Sequence, residues 1–226
     1  MSLSENLSFS PDEFSGKVRL FPLPNLVVFP HVMQPLHIFE PRYRAMLEEA
    51  LAEDGLIGMV LLAPGWERDY DGRPPLRAVG CLCRVATYHK TDEGSYNVLV
   101  LGLRRIVIEQ ELPPDKTFRV AEVRLCEDDY SDETADGRPE LQRRLLEAFK
   151  RVLPQIPEAA EQLDELLGNQ VPLGMLTDIV AYTLDIDLEF KERLLAETSV
   201  DRRAELLLEH LSQMRKAVFP PEFSMN

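Results

Sequence analysis

Long apolar runs are absent from this chain. No stretch of about 18 apolar residues occurs in it, so no segment reads as a membrane span. Basic residues are scarce: 25 Lys and Arg stand against 39 Asp and Glu, a formal net charge of −14. Such a chain repels polyanions and anionic membrane faces at long range, so nucleic acid is not an expected partner. Cysteine is rarer still, and the three thiols cannot all pair with one another. Cys81 and Cys83 stand two apart in a predicted strand, sharing a face but too distant for a comfortable bridge. No C-x-x-C and no close His pair supplies a zinc set. The cysteines are therefore expected as reduced, buried thiols. The opening MSLSENLSFSPDEFSG lacks a basic start and an apolar stretch, so it does not read as a signal peptide. A cytoplasmic setting is expected.

Catalytic signatures are missing too. The only Gly-Lys pair is Gly16-Lys17. A phosphate loop needs glycine five residues before that Gly and a hydroxyl residue after the lysine, where this chain has Pro11 and Val18. Neither G-x-S-x-G nor H-E-x-x-H occurs. Ser212 and Lys216 stand one helical turn apart but belong to a terminal helix, and read as a solvated face rather than a dyad. The histidines at 31, 37, 89 and 210 are scattered. His37, set among apolar residues, reads first as a satisfied core or boundary residue and only second as a ligand. No catalytic residue, cofactor or metal is expected.

What is present is an ordinary globular composition, 45% hydrophobic and 28% charged over 226 residues, enough to bury a core. Apolar runs between prolines from Val18 to Leu47 predict a strand, a kink, a second short strand and a helix from Pro41 to Asp54. Leu56 to Ala63 reads as a buried strand. Pro64 to Leu76 is a long loop carrying Trp66 and Tyr70. Val79 to Val85 alternates as a strand. Thr91-Asp92-Glu93-Gly94 turns the chain into Tyr96–Val100. Further strands are expected at Leu103–Leu112 and Phe118–Cys126. EDDYSDETADG, from Glu127, has six acids and no base and reads as a solvated linker. Helical periodicity follows: a stripe from Leu141 to Leu153, a short helix over Ala159–Leu167, another after Pro172, one capped by Asp187, and a last one capped by Ser199. The expected domains are a loose 1–16, a β unit over 17–126, a linker over 127–139, a helical unit over 140–218 and a tail over 219–226.

Two blocks carry a family resemblance. The first is Leu20-Phe21-Pro22-Leu23-Pro24-Asn25, followed by Pro35-Leu36-His37-Ile38-Phe39-Glu40-Pro41-Arg42-Tyr43-Arg44. The second runs from Gly174 to Leu211, with Gly174, Leu176, Asp178, Ala181, Lys191, Leu194, Leu195, Val200, Arg203, Leu207 and Leu208 at matching positions. Together they resemble the Lon-protease amino-terminal domain family, the LON substrate-binding domain. His31 departs from it, since many relatives have glycine there, and Thr177, Glu192, Ala196 and Ala204 depart in the second block. The resemblance covers about residues 18 to 215. It implies an α+β fold, a PUA-like mixed β pseudo-barrel with one early helix, followed by a helical bundle. In the full-length protease that domain precedes an ATPase and a serine–lysine peptidase, for which this chain shows no residues.

The expected function is a non-catalytic module that binds polypeptide clients, or a protease or chaperone partner. RNA binding is the alternative, because PUA-like barrels elsewhere bind RNA, and net charge weighs against it. Trp66 and Tyr70 are candidate peptide anchors, or else tuck onto the barrel. Glu40 with Arg42 and Arg44, and separately Arg104 and Arg105, read as structural ion pairs or as ligand-contacting arginines at the barrel mouth. Pro35, His37, Phe39 and Tyr43 complete the motif positions. Client identity and oligomeric state are not legible.

Overall fold

The computed structural model of the protein describes residues 9–152 and 171–214. The expected helix over 159–167 and Lys216 lie outside the described residues. The chain divides into two compact units: Met1–Glu127 with Ala181–Thr198, and Asp128–Val180 with Ser199–Asn226.

The first unit is built on a six-stranded sheet. Its strands are β1 (Lys17–Leu23), β2 (Met33–Ile38), β3 (Leu56–Leu62), β4 (Leu76–Lys90), β5 (Tyr96–Glu111) and β6 (Arg119–Cys126). The order is β2-β5-β4-β3-β1-β6, and β5 also pairs with β6, which closes a barrel. β1 and β3 are parallel; the other pairings are antiparallel. Val18, Leu20, Leu56, Val60, Leu82 and Ile106 fill the interior. Each such side chain stabilises the fold by about 1.5–3 kcal/mol through burial. Helix α1 (Pro41–Ala52) turns Tyr43, Met46, Leu47 and Ala50 inward. That face packs on β1 and β3, so β3 is buried along its whole length.

The expected strands at Tyr96–Val100 and Leu103–Leu112 are one continuous β5. Gly102 does not end it. Its N–H donates to the Val32 carbonyl at 2.9 Å, and its carbonyl accepts from His31 N–H at 2.8 Å. A Cβ at this position would collide with the Phe29 carbonyl oxygen. Glycine here admits a neighbouring loop rather than breaking a strand. That loop buries Val27, Val28 and Phe29 without strand pairing. The expected alternation along β4 also fails, because Gly80, Cys81, Leu82 and Cys83 are all buried. Cys81 and Cys83 are buried free thiols as expected, whereas Cys126 is only half-buried.

Helix α2 (Arg138–Lys150) belongs to the second unit, as does most of α3 (Leu173–Thr183). Helix α4 (Leu188–Ala196), read from sequence as part of the helical bundle, groups instead with the barrel. Arg105 Nε donates to the Leu195 carbonyl at 3.0 Å, and Arg77 pairs with Glu189. Asp187 caps α4, its carboxylate accepting from Phe190 N–H at 2.8 Å. Helix α5 (Val200–Met214) returns to the second unit, capped by Ser199, whose Oγ accepts from Arg202 N–H at 3.3 Å.

The acidic string is not a free linker. Asp132–Gly137 forms a 3-10 turn, and Asp129 bridges to Ser199. Arg203 of α5, only 1% exposed, donates to Asp128 Oδ2 at 2.8 Å and to Thr177 Oγ1 at 3.0 Å. Tyr130 Oη accepts from Gly174 N–H at 3.1 Å. Asp201 accepts from Arg138 at 2.8 Å. Asp128 is the acid of the string that gives buried Arg203 its counter-charge.

Candidate functional site

The two segments of the first unit singled out by sequence meet each other. Pro41 opens α1 and holds Glu40 before it in extended backbone, φ −63° and ψ 133°. Glu40 Oε1 accepts from the Tyr70 hydroxyl at 2.7 Å. Arg42 donates from Nε to Glu40 Oε2 at 3.0 Å and from Nη1 to the Tyr70 carbonyl at 3.1 Å. Its guanidinium lies 4.8 Å from the Tyr43 ring and 4.9 Å from the Tyr70 ring. Trp66 meets Tyr70 edge-on with centroids 5.5 Å apart. Glu40, Arg42, Tyr43, Trp66 and Tyr70 thus form one cluster. The long loop is held to the start of α1 by a charge-assisted bond at each end of the Tyr70 residue.

Burial pushes the Tyr43 hydroxyl up to about 12, with Arg42 opposing. Burial also raises Tyr70, and its bond to Glu40 adds to the rise. Both phenols stay protonated at neutral pH, so Tyr70 donates and Glu40 accepts.

Beside this cluster lies a cavity of about 230 Å³. Arg42, Arg73, Lys116 and Arg119 line it, against the single carboxylate of Asp71. Two of these guanidiniums share one acid: Arg119 Nε donates to Glu111 at 2.8 Å and Arg73 Nη2 at 3.1 Å. Burial alone would raise Glu111, but the two arginines outweigh it and hold the carboxyl below its ordinary value. Arg119 Nη1 also donates to the Pro74 carbonyl at 2.6 Å, which fixes the end of the loop.

A second surface lies on β2, β5 and β4. Met33 is 42% exposed, Phe39 64% and Tyr88 55%. His37, exposed rather than buried, stacks on Phe39 with centroids 6.0 Å apart and bonds Asn97 through Nδ1 at 2.8 Å. Pro35 pairs with Leu99 across the strands, and both line an open groove of about 560 Å³ with His37 and Tyr88. β2 pairs with β5 along one edge. Among the described residues no strand pairs with the other. That edge is blunted against strand addition. Pro35 has no N–H, the Gln34 side chain donates to the Pro35 carbonyl at 2.8 Å, and Tyr182 donates to the Met33 carbonyl at 3.3 Å. The groove therefore offers side chains more than backbone.

The paired arginines stand elsewhere. Arg105, 2% exposed, is spent on the Leu195 carbonyl. Arg104, half-buried, donates to the Leu103 carbonyl at 2.9 Å. Neither lines the cavity. Sequence reasoning missed Arg73, Lys116 and Arg119. The available signal was Arg119, a lone charge between Phe118 and Val120 at the start of a strand.

Comparison with known proteins agrees with the fold. Residues 17–213 match the ATP-dependent protease La (LON) substrate-binding domain family. Lon protease 2 of Myxococcus xanthus is 29% identical over 203 residues, covering 87% of this chain and 24% of the relative. The Lon protease of Anaeromyxobacter dehalogenans is 31% identical over 210 residues, covering 91% of this chain and 24% of the relative. The chain thus spans about a quarter of the length of these curated relatives. The N-terminal domain of Mycobacterium avium complex Lon protease shares the fold, with TM-score 0.67 and 20% identity over 87% of this chain and 98% of that one. A Lon N-terminal domain protein from Xanthomonas campestris matches with TM-score 0.61 and 22% identity, over 85% and 97%.

Proposed function

Because the chain belongs to the LON substrate-binding domain family, we propose that it is a non-catalytic module that holds exposed segments of polypeptides. What the relatives share with it is the substrate-binding domain, at 24% of their length. The observation that carries the reading is the apolar exposure on the barrel. Phe39 and Met33 are exposed at the two ends of β2, and Tyr88 lines an open groove on the same sheet. Exposed apolar side chains on a chain of net charge −14 fit an interaction surface. Trp66 and Tyr70 are the further candidate anchors, with Tyr70 bonded to Glu40, the residue after Phe39. A Lon-type protease or a chaperone is the partner class such a module would serve.

Capture of reduced, denatured lactalbumin by the purified chain tests this. Phe39→Ala and Trp66→Ala remove side chains that do not belong to the barrel interior, so both variants stay folded. Loss of an anchor costs about 2 kcal/mol, roughly thirtyfold in affinity. Binding should persist at about 1 M salt, where screening reaches about 3 Å. Equal capture by both variants and wild type, or loss of binding in salt, would point away from an apolar face. The salt-sensitive outcome would favour a charged site around Arg104 and Arg105, and the RNA alternative is tested separately by a salt titration of binding to structured RNA.

A further inference from the structure

The cavity beside Tyr70 is chemically unlike the exposed groove. It is small, below the roughly 300 Å³ at which drug-sized ligands fit. Part of its wall is apolar, from Leu62, Pro74 and Phe118. The rest is cationic, with four basic side chains against one acid, in a chain whose net charge is −14. Arg73 and Arg119 divide a single carboxylate between them. Lys116 bonds Glu49 at 2.5 Å, and Glu49 is shared again with Arg19 at 2.8 Å. Among the residues that line the cavity the bases outnumber the acids, while Glu40, Glu49 and Glu111 hold those bases from outside it, so an entering anionic group would compete with these carboxylates for their remaining donors. Arginine fits a carboxylate with two parallel donors.

We infer that this cavity receives the C-terminal residue of a bound polypeptide, its α-carboxylate against Arg73 and Lys116 and an apolar side chain against Leu62 and Phe118. The inference rests on the polypeptide-holding reading and gives it an end-specific site. Arg42 and Tyr70 line the cavity and also hold Glu40, which follows Phe39. In this reading an extended chain held at Phe39 runs on to end in the basic cavity. A carboxylate on an apolar body is the shared chemistry of a polypeptide end and of a small organic acid.

Binding of three probes to the intact chain separates the cases. They are a nine-residue apolar peptide ending in leucine with a free carboxylate, the same peptide as its C-terminal amide, and N-acetylleucine. The free acid should bind at least tenfold tighter than the amide. In the Arg73→Gln, Lys116→Gln double variant that difference should vanish, while denatured lactalbumin is still captured through the Phe39 face. Both substitutions sit at partly exposed ion pairs, and retained lactalbumin capture shows that the variant is folded. Equal affinity for acid and amide, with both lost in Phe39→Ala, overturns the end-specific site and leaves the polypeptide reading standing. N-acetylleucine binding as tightly as the peptide also overturns it, in favour of a small-carboxylate site. Failure of every peptide together with failure to capture lactalbumin removes the polypeptide reading and this inference with it.

Discussion

His31 shows how one residue can stand against its backbone. Its φ is 66°, in the left-handed region where a Cβ is strained. Glycine would hold this conformation without that strain. The strain is maintained because His31 N–H is tied to the Gly102 carbonyl at 2.8 Å. Replacing the side chain should relieve about 1 kcal/mol, partly offset by the larger unfolded-state entropy of glycine. His31→Gly is expected to raise the melting temperature by about 1–3 °C. A lower melting temperature would mean that the imidazole contributes more contact than its backbone costs. Thr177 is the opposite kind of departure. In sequence it is a departure from the family pattern; in the fold its hydroxyl accepts from a buried guanidinium, that of Arg203.

Elements were legible where periodicity and proline decided them. Pro41 opens α1, Leu56–Leu62 is buried throughout, and Ser199 and Asp187 cap the helices they were expected to cap. Elements were illegible where a distant partner decided them. Glycine at 102 looked like a strand end because the loop that crowds it lies about seventy residues earlier in the chain. Asp128 reads as solvated in sequence because its partner Arg203 lies 75 residues later, whereas the other acids of the string are exposed. The site divides the same way. Its proline-fixed half, Glu40 to Tyr43, and the loop aromatics were named from sequence, while the basic cavity assembles from three separate loops and strands and was not. The latch between acidic string and helices makes a quantitative expectation. Arg203→Ala leaves Asp128 and Thr177 without their partner and should cost about 3–5 kcal/mol. Thr177→Ala restores smaller volume but removes one acceptor from a buried charge, at about 1–3 kcal/mol. Urea midpoints of the two variants check the order. A Thr177→Ala protein more stable than wild type would show that the hydroxyl is dispensable to Arg203.

At the scale of the whole molecule, acidification sets two effects against each other. From neutral pH toward the isoelectric point near 4.8, the net charge of −14 shrinks and self-repulsion falls. That change favours the compact state. Below it the paired carboxylates decide. Asp201 is held below its ordinary value first by its bond from Arg138. Burial raises Glu111 and Glu49, but Arg119 and Arg73 in one case, and Lys116 and Arg19 in the other, outweigh it and leave both lowered. Groups with a depressed folded-state value contribute stability that is fully present above their unfolded values, about 3.9 for Asp and 4.3 for Glu. That stability is lost as pH falls through the folded values, because the unfolded chain then binds more protons. The urea midpoint should therefore stay level or rise slightly from pH 7 to about 5, then drop steeply below about pH 4. Asp201→Asn and Glu111→Gln should each lower the neutral-pH midpoint and flatten the acid limb, one through the helical unit and one through the barrel. A midpoint that holds steady to pH 3 in the wild-type chain, or variants whose acid limb is as steep as the parent's, would show that these ion pairs do not couple to folding.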